Sequence, residues 1–171
     1  MINFKIILNV LGYLLIALSL VMLIPMLIDL GIGNDTWKSF ITSAIITFGF
    51  GFTFLISTRN EANDKILMQD AFLITSLSWL SISIFAALPF YFSENNLDIT
   101  NSIFESMSGI TTTGSSVIQN VEILTEGMLI WRGLLQWIGG IGIIVMAVSI
   151  LPVLRVGGMQ VFRAESSDTT D

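Results

Sequence analysis

The stretch SGITTTGSSV, residues 108–117, gathers serines, threonines and two glycines inside a chain that is otherwise apolar. It lies between apolar runs long enough to cross a bilayer. Its reading decides the fold, because small hydroxyl residues and glycine at membrane depth need a reason that lipid alone does not supply. Non-helical backbone is tolerated at that depth only where it is buried in protein or lines a watery cavity.

Four stretches without a charged residue set the frame: Ile6–Ile28 (23 residues), Ser39–Thr58 (20), Ala71–Ser93 (23) and Gly133–Leu154 (22). A bilayer core of ~30 Å requires about 20 apolar residues in a helix. The chain therefore reads as an all-α integral membrane protein with four transmembrane helices. Pro25 and Pro89 fall near helix ends, where a lost backbone donor is easier to tolerate. The first run follows Lys5 and resembles a signal peptide in that respect. It is too long for an h-region, and no small-x-small cleavage site closes it.

Composition agrees. Of the 171 residues, 53% are hydrophobic and 12% charged, with a mean hydropathy of +0.83, which excludes an ordinary soluble domain. The chain has no cysteine and no histidine, so disulfides, thiolate chemistry and imidazole-based metal sites or catalysis are ruled out. A net charge of -6 argues against nucleic acid as a partner. No cofactor is expected, and no constellation of catalytic groups stands out, so the chain does not read as an enzyme.

Basic residues orient the helices. Placing Lys5, Arg59, Lys65, Arg155 and Arg163 in the cytoplasm leaves only Lys38 and Arg132 outside. Both termini are then cytoplasmic, which four crossings satisfy. The acids Asp29, Asp35, Glu94, Asp98, Glu122 and Glu126 gather on the outer side. They could form a cation-attracting vestibule, but loop solubility is the preferred explanation.

Residues 94–132 do not fit a simple loop. Within DITNSIFESMSGI, Ile99, Ile103, Phe104, Met107 and Ile110 recur at spacings of three and four, as on a helix face. Asp98, Thr100 or Asn101 can cap its start, and Ser108-Gly109 is a natural end. At about 20 Å this helix is too short to span. A short helix followed by an extended, hydroxyl-rich return is the layout of a re-entrant loop. In an ion filter, backbone carbonyls replace the hydration shell of a cation, and Gly114 can take backbone angles closed to other residues. An ordinary external loop with a Ser/Thr-rich turn explains the composition equally well. The position between two spanning helices favours the re-entrant loop.

FESMSGITTTGSSV, followed by WRGLLQWIGGIGIIVMAVSILPVLRVGGMQVFRAES, closely resembles TrkH-type members of the Trk/Ktr/HKT potassium-transporter superfamily. The resemblance covers roughly residues 65–166. It implies helix–pore loop–helix units, four per pore, with a key glycine in each filter strand. Here that glycine is Gly114. The ion-facing carbonyls would belong to Thr112, Thr113 and Gly114, flanked by Thr111 and Ser115. The implied units are an outer helix at about 70–92, a pore helix at about 99–110 and an inner helix at about 129–152. The implied domains are a two-helix hairpin at 1–64, a first pore unit at 65–156 and a polar cytoplasmic tail at 157–171, leading into a next repeat. The resemblance further implies potassium as the transported ion, a location in the inner cell membrane and a cytosolic nucleotide-binding regulatory subunit.

Only one pore loop is present, and one loop cannot encircle an ion. Either four copies assemble or this is part of a longer transporter, and the second is favoured. The rival class is a non-conducting structural or assembly subunit of the membrane.

Three further features need weighing. Glu105, inside the short helix, reads first as a structural acid satisfied by backbone donors or by Arg132, rather than as a charge that attracts ions. Arg132 reads first as an interfacial residue snorkelling beside Trp131 in the aromatic belt; a salt bridge to a pore-loop acid is the sharper alternative. The GGIG of residues 139–142 suggests close helix packing, and a leucine at Gly140 should then disrupt assembly. The tryptophans read as interfacial or packing aromatics and the methionines as core filler.

Overall fold

The structure is a computed structural model that describes residues 3–58, 68–93 and 97–166. Arg59, Lys65 and Glu94 fall outside these residues. Every regular element among the described residues is helical: α1 Phe4–Val21, α2 Leu23–Ile32, α3 Trp37–Ser57, α4 Met68–Ala86, α5 Leu88–Phe92, α6 Ile99–Ile110, a 3-10 turn Val121–Ile123, and α7 Glu126–Ser166. Four segments are long and apolar enough to cross a membrane: Phe4–Ile32, Trp37–Ser57, Asp70–Phe92 and Glu126–Met146.

Two of the four spans are broken, and proline is the cause in each. Pro25 lacks the N–H that would bond the Val21 carbonyl, and the first span breaks into α1 and α2 at Met22. Pro89 likewise frees the Phe85 carbonyl, and the third span breaks at Ala87. The prolines thus sit near the ends of short helices but inside the spans. Trp131 uses the second break: its indole N–H donates to the Ala86 carbonyl at 3.1 Å. Trp131 is fully buried and edge-on to Phe40, so it serves as a packing aromatic.

α1 and α3 pack through glycine. A Cβ on Gly12 would lie 2.9 Å from the Gly51 carbonyl oxygen, and one on Gly51 would lie 2.9 Å from that of Gly12. Without a hydrophobic drive between helices in lipid, such close backbone approach supplies the dispersion contact. Three polar residues of α3, Ser39, Ser43 and Thr47, turn inward, while Thr42, Thr53 and Ser57 are exposed. Ser43 and Thr47 are fully buried, and each hydroxyl donates to the carbonyl four residues back. Phe48, Phe50, Phe52 and Ile56 point outward, as a lipid-facing surface requires.

One apolar core joins α1–α3 to α4–α7. Leu15, Leu18, Met22 and Phe40 from α1–α3 pack with Ala86, Phe90, Ile110, Met128, Trp131 and Leu135. Met22 and Met128 are fully buried. At one end of the bundle Asn9 donates to Thr58 Oγ1 at 2.9 Å, and the Asn3 N–H donates to Asp70 at 3.0 Å. At the other end the α2–α3 turn meets the loop that precedes α7.

α7 starts three residues before the expected position and continues through 157–166, which the sequence reading assigned to a polar tail. Gly157 and Gly158 do not end it. Arg, Met, Gln and Glu around them are good helix formers.

Within α7 the close approach falls at Gly139. A Cβ there would lie 2.6 Å from the Ile110 carbonyl carbon and would collide with its oxygen. At Gly140 the nearest atom is 4.0 Å away. The residue that lets α7 touch the end of α6 is therefore Gly139. Gly139→Ala is expected to cost about 1–3 kcal/mol through overpacking against rigid backbone, and Gly140→Ala far less. Melting of the two variants in detergent checks the contrast, and equal melting temperatures would refute it.

Candidate functional site

The short helix α6 forms where the periodicity places it. Asp98 is its N-cap: the carboxylate accepts the Asn101 N–H at 2.8 Å. Its C-terminus runs past Ser108-Gly109 to Ile110, because Gly109 serves packing rather than termination. A Cβ on Gly109 would come within 3.1 Å of Leu135 Cβ on α7.

The helix ends instead on Thr112, in the left-handed region at φ 58. The Thr112 N–H donates to the Gly109 carbonyl and the Thr113 N–H to the Ser108 carbonyl, both at 3.0 Å. These two bonds form a Schellman cap, in which the left-handed residue is usually glycine. A β-branched threonine there is strained. The helix bonds, the Thr111 hydroxyl on the Met107 carbonyl (2.8 Å) and the contact between the Thr111 and Thr113 hydroxyls (2.9 Å) hold it in place.

The cap sorts the backbone into two kinds of group. The N–H groups of Thr111, Thr112, Thr113 and Gly114 all point back to carbonyls of α6. Among the described residues, no hydrogen bond ends on the carbonyls of Thr111, Thr112, Thr113 or Gly114. Residues 112–116 are exposed. The backbone amides of Thr111 to Gly114 are thus bonded to α6, whereas the carbonyls of the same residues, in a mostly exposed segment, carry no hydrogen bond among the described residues. Gly114 at φ 77 makes the turn, and a Cβ there would meet nothing within 4 Å.

Beyond Gly114 the chain is held to α6 again. Ser108 Oγ donates to the Ser115 carbonyl at 2.6 Å, which turns that oxygen inward. Glu105 then holds the return strand. Its carboxylate accepts the Ser116 hydroxyl at 3.1 Å and the Val117 N–H at 3.1 Å. It also pairs with Arg132, whose Nη1 donates to Ser116 Oγ at 3.3 Å. The Glu105 side chain is 1% exposed and that of Arg132 14%. Arg132 thus takes the sharper of its two readings: it is a salt-bridge partner and not a snorkelling interfacial residue. Glu105 has the structural surroundings expected of it, with both a backbone donor and the arginine.

The sequence reading missed Asp29. The sequence places it with acids that solubilise loops, yet it is fully buried against the first turn of α7. Among the described residues no cluster of three or more His, Cys, Asp or Glu side chains that could hold a metal ion occurs.

Comparison with known proteins now adds to this geometry. The family described as TrkH, cation transport protein, matches residues 37–170. The chain belongs to the TrkH family. It is 42% identical over 166 residues to the Trk system potassium uptake protein TrkI of Halomonas elongata, covering 96% of this chain and 33% of the relative. It is 40% identical over 164 residues to the Trk system potassium uptake protein TrkH of Escherichia coli K12, covering 95% of this chain and 34% of that protein. It spans about a third of the length of these curated relatives. Its fold matches the crystal structure of the potassium transporter TrkH from Vibrio parahaemolyticus with a TM-score of 0.85 at 36% identity, over 98% of this chain and 36% of that one. An all-α, multi-pass membrane architecture follows, and the TrkH relatives are uptake proteins, not enzymes.

Proposed function

We propose that this chain supplies one of four filter strands in a pore for potassium uptake. The observation that carries the reading is the row of carbonyls from Thr111 to Gly114, unbonded within the chain, beside four amides all tied into α6. Such a row substitutes oxygens for the water shell of a dehydrated cation. Ser115 flanks the ligands and anchors the strand through its carbonyl on Ser108. Glu105 and Arg132 support it from behind. The C-terminal end of α6, the negative end of its dipole, points toward the same region. The other three strands come from further pore repeats or from copies of this one.

The remaining parts of the reading follow from family membership and charge. The protein sits in the inner cell membrane with both termini of this segment in the cytoplasm. Conduction is passive, and the inside-negative potential contributes ~2.3 kcal/mol per charge per 100 mV. A cytosolic nucleotide-binding subunit regulates the pore.

This segment has no cysteine, so once any cysteines elsewhere in the intact pore are replaced, a single Ser115→Cys reports on the strand without background. In the intact pore, thiol labelling at that position is expected to slow several-fold in potassium relative to choline at equal ionic strength. Labelling that is indifferent to potassium would overturn the filter reading and favour a non-conducting assembly subunit.

A further inference from the structure

Asp29 lies in the last turn of α2, with 0% of its surface exposed. A carboxylate in that place opposes its own helix, whose C-terminal end carries partial negative charge. Burial adds a desolvation penalty that must be met by hydrogen bonds. The compensation comes largely from outside the helix. Thr36 Oγ1 donates to Oδ2 at 2.5 Å and Thr125 Oγ1 at 3.2 Å; Asn34 Nδ2 donates to Oδ1 at 3.3 Å and the Gly127 N–H at 2.8 Å.

Thr125 and Gly127 belong to the first turn of α7 and its cap. The acid of the hairpin therefore sits on the positive end of the inner helix. Gly127 is needed for this approach, because a Cβ would lie 2.5 Å from the Asp29 carboxylate carbon. Asn34 doubles the joint by donating to Glu126 Oε2 at 2.8 Å.

We propose that Asp29 is a positioning residue for conduction, through which the α1–α3 hairpin fixes the outer end of α7 and thereby the height of the filter strand. This rests on the filter reading above. α7 is the bar that transmits the setting. A helix advances 1.5 Å per residue and resists compression, so a slip at Gly127 moves Arg132 and Gly139 by the same amount. Arg132 carries the pair to Glu105, and Gly139 touches the Ile110 carbonyl. Both contacts bear on the strand from Thr111 to Ser116. The hairpin is therefore part of the pore's alignment and not only a lipid-facing accessory.

The test measures potassium uptake and the potassium-to-sodium uptake ratio, per molecule in the membrane, in the intact pore. Asp29→Asn keeps shape but turns one acceptor into a donor. It is expected to lower uptake on the order of tenfold, and to lower the ratio, as a coupling of ~1.4 kcal/mol implies. Thr36→Val removes one donor without changing shape and is expected to shift both readouts the same way, by about threefold. Adding Thr125→Asp to Asp29→Asn gives α7 its own N-cap carboxylate but does not restore the carboxylate on the hairpin side, and neither readout should recover in full.

Parental uptake and ratio in Asp29→Asn would overturn the proposal. So would full recovery in the double variant, which would reduce Asp29 to a helix cap. If Asp29→Asn does not reach the membrane, Thr36→Val decides by the same readouts, and an unchanged ratio there counts against alignment. The filter reading fails separately, by normal conduction in Gly114→Asp, whatever the Asp29 variants do.

Discussion

Gly114→Asp is expected to reduce potassium uptake by more than about a hundredfold, equivalent to ~2.7 kcal/mol in the barrier, while the protein still reaches the membrane. Two effects combine. Gly114 holds φ at 77, and an L-residue in that region costs roughly 1–2 kcal/mol. The second effect is larger. Nothing in the chain lies within 4 Å of a Cβ there, so packing does not reject the side chain and it stands on the open face beside the carbonyls. A carboxylate there binds a cation too firmly to release it, whereas conduction needs sites weak enough to leave. Gly114→Ser adds the Cβ without the charge and should lose less uptake but discriminate less against sodium. Uptake scaled to membrane abundance provides the check, and parental uptake by Gly114→Asp would remove this residue from the filter.

The second large effect concerns Glu105 and Arg132. Glu105→Ala is expected to cost about 1–3 kcal/mol of stability, because it leaves the partly buried Arg132 guanidinium without its ion-pair partner. It also strips the acceptor from the Val117 N–H and the Ser116 hydroxyl. Glu105→Gln keeps one acceptor for the backbone and should be milder, with ion selectivity intact. The double variant Glu105→Gln/Arg132→Gln should cost less than the sum of the single changes, since the two residues share one network. Melting in detergent measures all three. A Glu105→Ala protein as stable as the parent would show that the pair holds nothing.

Much of the re-entrant segment was legible because its signals are local. The Asp98 cap, the three-and-four spacing and the threonine-glycine strand lie within a span of seventeen residues, 98–114, and α6 runs over Ile99–Ile110 as read. What escaped was long-range or rotational. Asp29 meets Gly127 across 98 positions, and at outer-loop level a buried acid and a solubilising acid look alike in sequence. Three glycines in GGIG face different ways on a helix, so only packing reveals that Gly139, and not Gly140, touches Ile110. Arg132 read as interfacial because its neighbour Trp131 suggested a belt, yet the indole serves the proline break at Ala86. Ser108-Gly109 looked like a helix end, but the glycine was needed against Leu135, so the cap fell to a strained threonine.

The division of the strand into spent amides and free oxygens has a consequence for the sign of charge. Chloride approaching this backbone finds acceptors only, because every N–H from Thr111 to Gly114 already faces α6. On the proposed filter reading, anion rejection comes from bonding direction and not from acidic side chains, and it should survive neutralisation of Asp98, Glu122 or Glu126. Reversing it would take a peptide flip, and each flip would break a bond that holds the end of α6.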